Sequence, residues 1–324
     1  MLPGATLGAL GSAEARTDAR LGAASARPVH GAFALLAATR PRQWVKNILV
    51  FAVPAAAGTL FRPPVLGRSV AAAALFLGAS AGGYLLNDVR DISADRVHPI
   101  KRTRPIAAGD IGVLPAVITA AALLVSSCLG AFVLAGPAFA AVIGAYVAIT
   151  ASYSFGLKRL PVVELACVSS GFVLRAVAGG AAAHLPISPW FLSVTSAGAL
   201  LLVAGKRTAE LRTLGADLAA HRSVLAAYPE PFLRFVRAVA ATVALTSYGL
   251  WAFDRASHLG DIRPDADDAI VRLSIVPFVI AMLVTELAIE RGEGGTPEDF
   301  LLSNRTLQIL GGACVVLVLV GVYT

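Results

Sequence analysis

Long apolar runs separated by short polar connections cover most of the chain. The runs lie near 43–61, 66–86, 113–135, 137–155, 162–183, 189–205, 234–253, 273–289 and 306–323 and are built mainly from Ala, Val, Leu, Ile, Gly and Phe. A helix needs about 20 apolar residues to cross a hydrocarbon core. The pattern therefore predicts nine transmembrane helices, the first and sixth being the least apolar. Residues 1–38 are rich in Ala and Gly with scattered Arg, and no compact apolar stretch follows a basic start. That predicts a flexible cytosolic tail rather than a signal peptide. Residues 39–324 then form one membrane domain.

Composition agrees. Of the 324 residues 57% are hydrophobic and 15% charged, and the mean hydropathy is +0.74. A soluble domain carries roughly 25% charge. The abundance of Ala, Val, Leu and Gly favours helices over the alternating strands of an outer-membrane barrel. The expected fold class is an all-α polytopic membrane protein. Cys128, Cys167 and Cys314 fall inside apolar runs and read as packing residues, with no disulfide or metal framework. The histidines, His30, His98, His184, His221 and His258, show no zinc spacing.

Charge sets the orientation. Most of the 27 Lys and Arg fall in the tail or in alternate connections on one side. Only Arg62, Arg68, Arg255, Arg263 and Arg272 fall on the other side, and Arg175 lies within the fifth run. Basic residues stay cytosolic, so the N-terminus is expected inside, the C-terminus outside and the chemistry at the cytosolic edge. No nucleic-acid partner is expected. The small-residue faces, such as "AAAALFLGASAGG", fit packing within one subunit or between copies, so a homo-oligomer is compatible.

The second run ends in "NDVRDISADRVHPIKRTRPIAAG". If a helix continues through them, Asn87, Asp88, Asp91 and Asp95 share an arc of roughly 100°. Carboxylates that close raise each other's pKa unless a cation neutralises them. Mg²⁺ is held by a few carboxylates together with substrate phosphates. Lys101, Arg102 and Arg104 follow, before Pro105 and Gly109. Acids and cations together suit a phosphorylated substrate bridged by Mg²⁺. A solvated helix end is the plainer reading, but a boundary does not require four oxygen-bearing side chains on one face.

Other polar residues gather at the same edge. Arg40, Arg42 and Lys46 sit beside Trp44 and read either as an interfacial anchor or as part of a site. Tyr153 and Lys158 end the fourth run. Arg175 within the fifth run needs a partner or a polar cavity. Lys206, Arg207 and Glu210 share a second arc of roughly 100°. The outer "DIRPDADD" lacks EF-hand spacing and reads as a solvated loop.

"NDVRDISAD" matches the NDxxDxxxD signature and resembles the UbiA superfamily of intramembrane prenyltransferases. With "RPRQWVKN", "SSGFVLRAVAGG", "VAGKRTAEL", "YGLWAF" and "PED", the chain from about Arg40 onward is similar to the superfamily's decaprenyl-phosphate phosphoribosyltransferase branch. The resemblance implies a UbiA-type bundle in a bacterial cell membrane, in contact with membrane lipids. It implies a Mg²⁺-dependent pentosyltransferase with phosphoribosyl pyrophosphate as donor and polyprenyl phosphate as acceptor. The product would be a precursor of cell-wall arabinan. On this reading Asp88, Asp91 and Asp95 are catalytic, and Asn87, Asp88 and Asp91 hold the metal. Asp95 is either a further ligand or the partner of a nearby cation. Lys46, Asn87, Lys101, Arg104 and Tyr153 bind substrate, as do Lys158, Arg175, Lys206 and Arg207. Glu210 contacts the ribose or orients Lys206.

One departure bears on the donor. Aromatic prenyltransferases of the superfamily carry a second motif, DxxxD, where this chain has Lys206, Arg207 and Glu210. That favours a donor more anionic than a prenyl diphosphate. The alternatives are an aromatic prenyltransferase using a polyprenyl diphosphate, and a transporter with a midplane site.

Overall fold

The computed structural model describes residues 31–99, 101–214, 224–262, 268–293, 300 and 303–323. Tail residues 1–30, most of the outer acidic loop and the "PED" stretch lie outside the described residues. Every regular element among the described residues is a helix.

The first described helix falls within the segment expected as tail. Residues Ala32–Ala38 form helix α1, and its Ala34 and Ala38 are buried in a cluster with Leu85 and Ile106. The first expected span is not one α-helix. It is a 3₁₀ helix of 11 residues, Pro41–Phe51, followed by α2 (Ala52–Ala56). A 3₁₀ helix rises about 2.0 Å per residue against about 1.5 Å for an α-helix. Together the two pieces cover about 30 Å, the thickness of a hydrocarbon core. Their ends lie toward opposite edges of the bundle. Arg40, just ahead, meets Asp88 near the end of the following helix, and past α2 the Leu60 N–H donates to the Tyr323 hydroxyl at 2.8 Å.

Helix α3 (Pro63–Arg90) starts on Pro63 and Pro64 behind an extended Arg62, since proline has no N–H to satisfy in a first turn. Short helices α4 (Ile92–Val97) and α5 (Pro105–Ala108) lead to α6 (Val113–Phe155). Helix α6 is broken at Ala135 and Gly136 (φ 78), with Pro137 opening its second half. Only glycine takes that φ without strain. Both halves run along α3: Gly82 faces Leu124, and Gly83 faces Thr150. In a straight helix residues 124 and 150 would lie about 39 Å apart. The chain therefore reverses at Gly136, and α6 contains the third and fourth expected runs.

The remaining elements are α7 (Val163–Ala183), α8 (Pro189–Leu214), α9 (Glu230–Ile262), α10 (Asp268–Leu273), α11 (Ile275–Glu290) and α12 (Arg305–Tyr323). Among the described residues seven helices are long and apolar enough to cross a membrane, with α10 and α11 counted as one. That count does not reproduce nine spans, because α6 holds two runs and the first run is the 3₁₀–α segment.

The glycine face of α3 packs against α6 within the chain. The main cluster joins Phe76 with Phe139, Ile143 and Tyr146 of α6, Ala178 and Ala182 of α7, and Val50. The 3₁₀ helix lies very close to α7: a Cβ on Gly179 would fall 1.8 Å from the Val50 carbonyl oxygen.

Candidate active site

The polar ends of these helices converge on one cavity of about 820 Å³ at the edge opposite Tyr323. Its size falls within the range of small-molecule sites. The 3₁₀ helix contributes Lys46, the end of α3 contributes Asn87, and the junction after it contributes Asp91. Lys101 and Arg104 come from the segment before α5, Tyr153 from α6, and Lys158 from the turn after it. Arg175 comes from α7, and Lys206, Arg207 and Glu210 from α8. Basic side chains outnumber acidic ones on this wall.

Two expected site residues are elsewhere. The helix does not continue through the aspartate motif: α3 ends at Arg90, and Asp91 (φ −95, ψ 6) joins it to α4. Asn87 and Asp91 face the cavity, whereas Asp88 and Asp95 are each 3% exposed and do not line it. Asp88, expected as a metal ligand, accepts from Arg40 at 2.5 Å and from Arg104 at 3.1 Å. Asp95 accepts from Arg104 at 2.6 Å. Of the two readings of Asp95, the geometry matches the partner of a cation. Asp91 is paired with Lys158 at 2.5 Å, and the Ser154 hydroxyl donates to Asn87 Oδ1 at 3.1 Å.

A metal must therefore be tested against Asn87 and Asp91. Among the described residues no three His, Cys, Asp or Glu side chains converge for an ion. One carboxylate and one amide oxygen still suit Mg²⁺, which completes its shell with water and phosphate oxygens. Asn87 and Asp91 fit such an ion, while Asp88 and Asp95 pair with Arg40 and Arg104 behind the wall.

The basic residues also differ from one another. Arg175 is 4% exposed and gives its N–H groups to Asn47 (3.0 Å), Ser80 (2.9 Å) and the Gly171 carbonyl (2.6 Å). It lies between the Phe76 and Tyr146 rings, 4.9 and 5.2 Å from their centroids. It ties four elements together at the cavity floor. Arg207 is gripped by both oxygens of Glu164, at 2.8 and 2.7 Å, and by Glu210 at 2.5 Å. Lys206 keeps a looser 3.9 Å pairing with Glu210.

The sequence reading left Arg40 open between site and anchor and missed Glu164 and Tyr228. Arg40 stood in a motif that reads equally well as a membrane anchor. Glu164 was visible as a lone acid in an apolar run, the signal for a paired intramembrane charge. It opens α7 behind Val162, whose φ of 67 is an outlier for a β-branched residue. The Tyr228 hydroxyl holds that strained turn by accepting the Val162 N–H at 2.6 Å. Burial pushes the Tyr228 phenol above its ordinary range, and it stays protonated.

A second cluster at the same edge lies outside the cavity. Arg237, fully buried, bonds Glu286 at 3.0 Å and Thr208 at 2.7 Å and pairs with Glu290. Arg212 bonds Glu230 at 3.0 Å and caps the end of α11 through the Ile289 carbonyl at 2.8 Å. These contacts fasten α8, α9 and α11.

Fold and cavity together define a polytopic membrane protein with a cation-rich pocket at one edge. The chain belongs to the UbiA prenyltransferase family, whose model matches residues 47–260. It is 44% identical to the decaprenyl-phosphate phosphoribosyltransferase of Corynebacterium glutamicum, over 91% of this chain and 89% of that protein. It is also 44% identical to the enzyme of the same name from Mycobacterium tuberculosis, over 84% and 89%. Among solved structures it resembles a digeranylgeranylglyceryl phosphate synthase (TM-score 0.62, 15% identity, 90% of this chain and 98% of that one). It also resembles a UbiA homolog from Archaeoglobus fulgidus bound to GPP and Mg²⁺ (TM-score 0.58, 17% identity, 90% and 99%). At these identities the solved structures speak for the fold.

Proposed function

We propose that the chain is an enzyme that transfers the 5-phosphoribosyl group of phosphoribosyl pyrophosphate to a polyprenyl phosphate, decaprenyl phosphate in its relatives' names. The observation that carries this reading is the cavity wall: cations from the 3₁₀ helix, the segment before α5, the turn after α6, α7 and α8 surround a single aspartate–asparagine face. A donor with phosphate at both ends of a sugar matches that wall better than a prenyl diphosphate. The namesake relatives, which cover most of the chain, support the same reading.

An oxygen of the acceptor phosphate forms a bond to ribose C1. The C1–pyrophosphate bond breaks, and its electron pair leaves with the pyrophosphate. The acceptor is already ionised, so no general base is needed. Mg²⁺ held by Asn87 and Asp91 would neutralise the departing pyrophosphate. Lys101, Arg104 and Lys158 stand on the same side to take its remaining charge, and Lys158 must exchange Asp91 for phosphate as the donor binds. Lys206 faces the cavity from the opposite wall, placed for the 5-phosphate, while Arg207 and Glu210 hold it in register. Preorganised charge of this kind supplies most of such a rate enhancement. The cavity edge is cytosolic on this reading, and the membrane is the bacterial cell membrane. The product would supply lipid-linked arabinose for the cell wall.

The test is turnover by purified protein given phosphoribosyl pyrophosphate, polyprenyl phosphate and Mg²⁺, followed as lipid-linked phosphoribose and released pyrophosphate. Absence of that product, with prenylation of an aromatic acid instead, overturns the reading. Asp91→Asn is expected to lower turnover by on the order of 10²-fold or more while the protein keeps its melting temperature.

A further inference from the structure

Asp88 and Asp95 belong to the aspartate motif but stand behind the cavity wall. Each is 3% exposed, and their partners, Arg40 and Arg104, are the residues that reach the cavity. Arg104 meets both acids through one nitrogen, Nη1, at 3.1 and 2.6 Å. Arg40 meets Asp88 through Nη2 at 2.5 Å. Among the described residues the other guanidinium N–H groups make no further hydrogen bond, and both side chains are about a quarter exposed (24% and 26%).

Arg40 is fixed in two further ways. Its backbone sits at φ 57, a costly conformation for a residue bearing a Cβ. Its guanidinium lies 4.9 Å from the centre of the Tyr84 ring. A strained, ring-packed, salt-bridged arginine at a cavity wall is preorganised, and its planar fork matches phosphate oxygens. Both guanidinium groups meet the same Asp88 oxygen, Oδ1, so a metal on that oxygen would compete with two cations already in place.

Resting on the function proposed above, we propose that the aspartate motif divides its work. Asn87 and Asp91 face the ligand. Asp88 and Asp95 are positioning residues that hold Arg40 and Arg104 as a paired guanidinium clamp on the pyrophosphate end of the donor.

The experiment titrates inorganic pyrophosphate into the purified full-length protein by calorimetry, with EDTA and then with Mg²⁺. With EDTA, Arg40→Lys and Asp88→Asn are each expected to weaken pyrophosphate binding by about tenfold. The double variant is expected to be little worse than either single one, as for residues acting as a unit. The Mg²⁺ concentration that half-saturates the effect on binding should stay unchanged in Asp88→Asn and rise in Asp91→Asn. Intact metal-free binding in Asp88→Asn with a raised Mg²⁺ requirement would make Asp88 a ligand and overturn the clamp. So would undetectable metal-free binding by the wild type. If Asp88→Asn does not fold, Arg40→Lys and Asp95→Asn decide the matter by the same readout. Pyrophosphate binding does not depend on the donor's identity. A clamp that binds pyrophosphate in a protein that makes no lipid-linked phosphoribose would refute the donor and leave the clamp standing.

Discussion

Glu164 shows how much a single side chain carries here. It is fully buried, and both of its oxygens are spent on Arg207. Removing one partner of a buried pair strands the other charge, at a cost of about 3–5 kcal/mol. Glu164→Gln is therefore expected to lower stability by about that amount, read as thermal unfolding in detergent. Replacing both partners by Leu and Met should be less harmful than Glu164→Gln. The residue types needed for this wall were legible in the sequence. Their pairing was not, because Glu164 and Arg207 lie on different helices and periodicity does not say which faces meet. The same gap hid the fate of Asp88 and Asp95. Asp88, about 100° around α3 from Asn87, meets Arg104 from within the helix, and Asp95 meets it from beyond the break at Asp91.

At the scale of elements, the 3₁₀ segment is the feature that sequence reading could not supply. Apolar composition marks a crossing but does not separate a stretched 3₁₀ turn from an α-turn, so the run was expected to be longer and uniformly helical. The hairpin in α6 was more legible: Gly136 and Pro137 fall where the third run gives way to the fourth. The 3₁₀ helix carries Lys46 and Asn47, and Gly179 sets how closely it approaches α7. Gly179→Ala drives a methyl into the Val50 carbonyl. It is expected to cost at least about 1–3 kcal/mol and to weaken donor binding, measured by unfolding and by pyrophosphate titration on the same preparation.

At the scale of the molecule, charge is sorted to one edge, as the positions of Lys and Arg already suggested. A cation-lined cavity draws in a polyanion through a field that salt screens. The association rate of phosphoribosyl pyrophosphate is expected to fall about tenfold or more between roughly 0.05 and 0.5 M salt, as followed by stopped-flow binding. Depth matters as much as charge. Along α3 the wall runs from Asn87 to Gly83, and Ser80 then joins Arg175, about 10 Å below the edge. Beneath it lie Phe76, Ala72 and Phe139, all buried. A wet, charged hollow cut into a bilayer is halfway to being a channel. Arg175, with its hydrogen bonds committed and a ring on either side, closes the floor of this one. Arg175→Ala in proteoliposomes should raise anion leakage above that of the wild type, and an unchanged dye-release rate would show that the seal lies elsewhere.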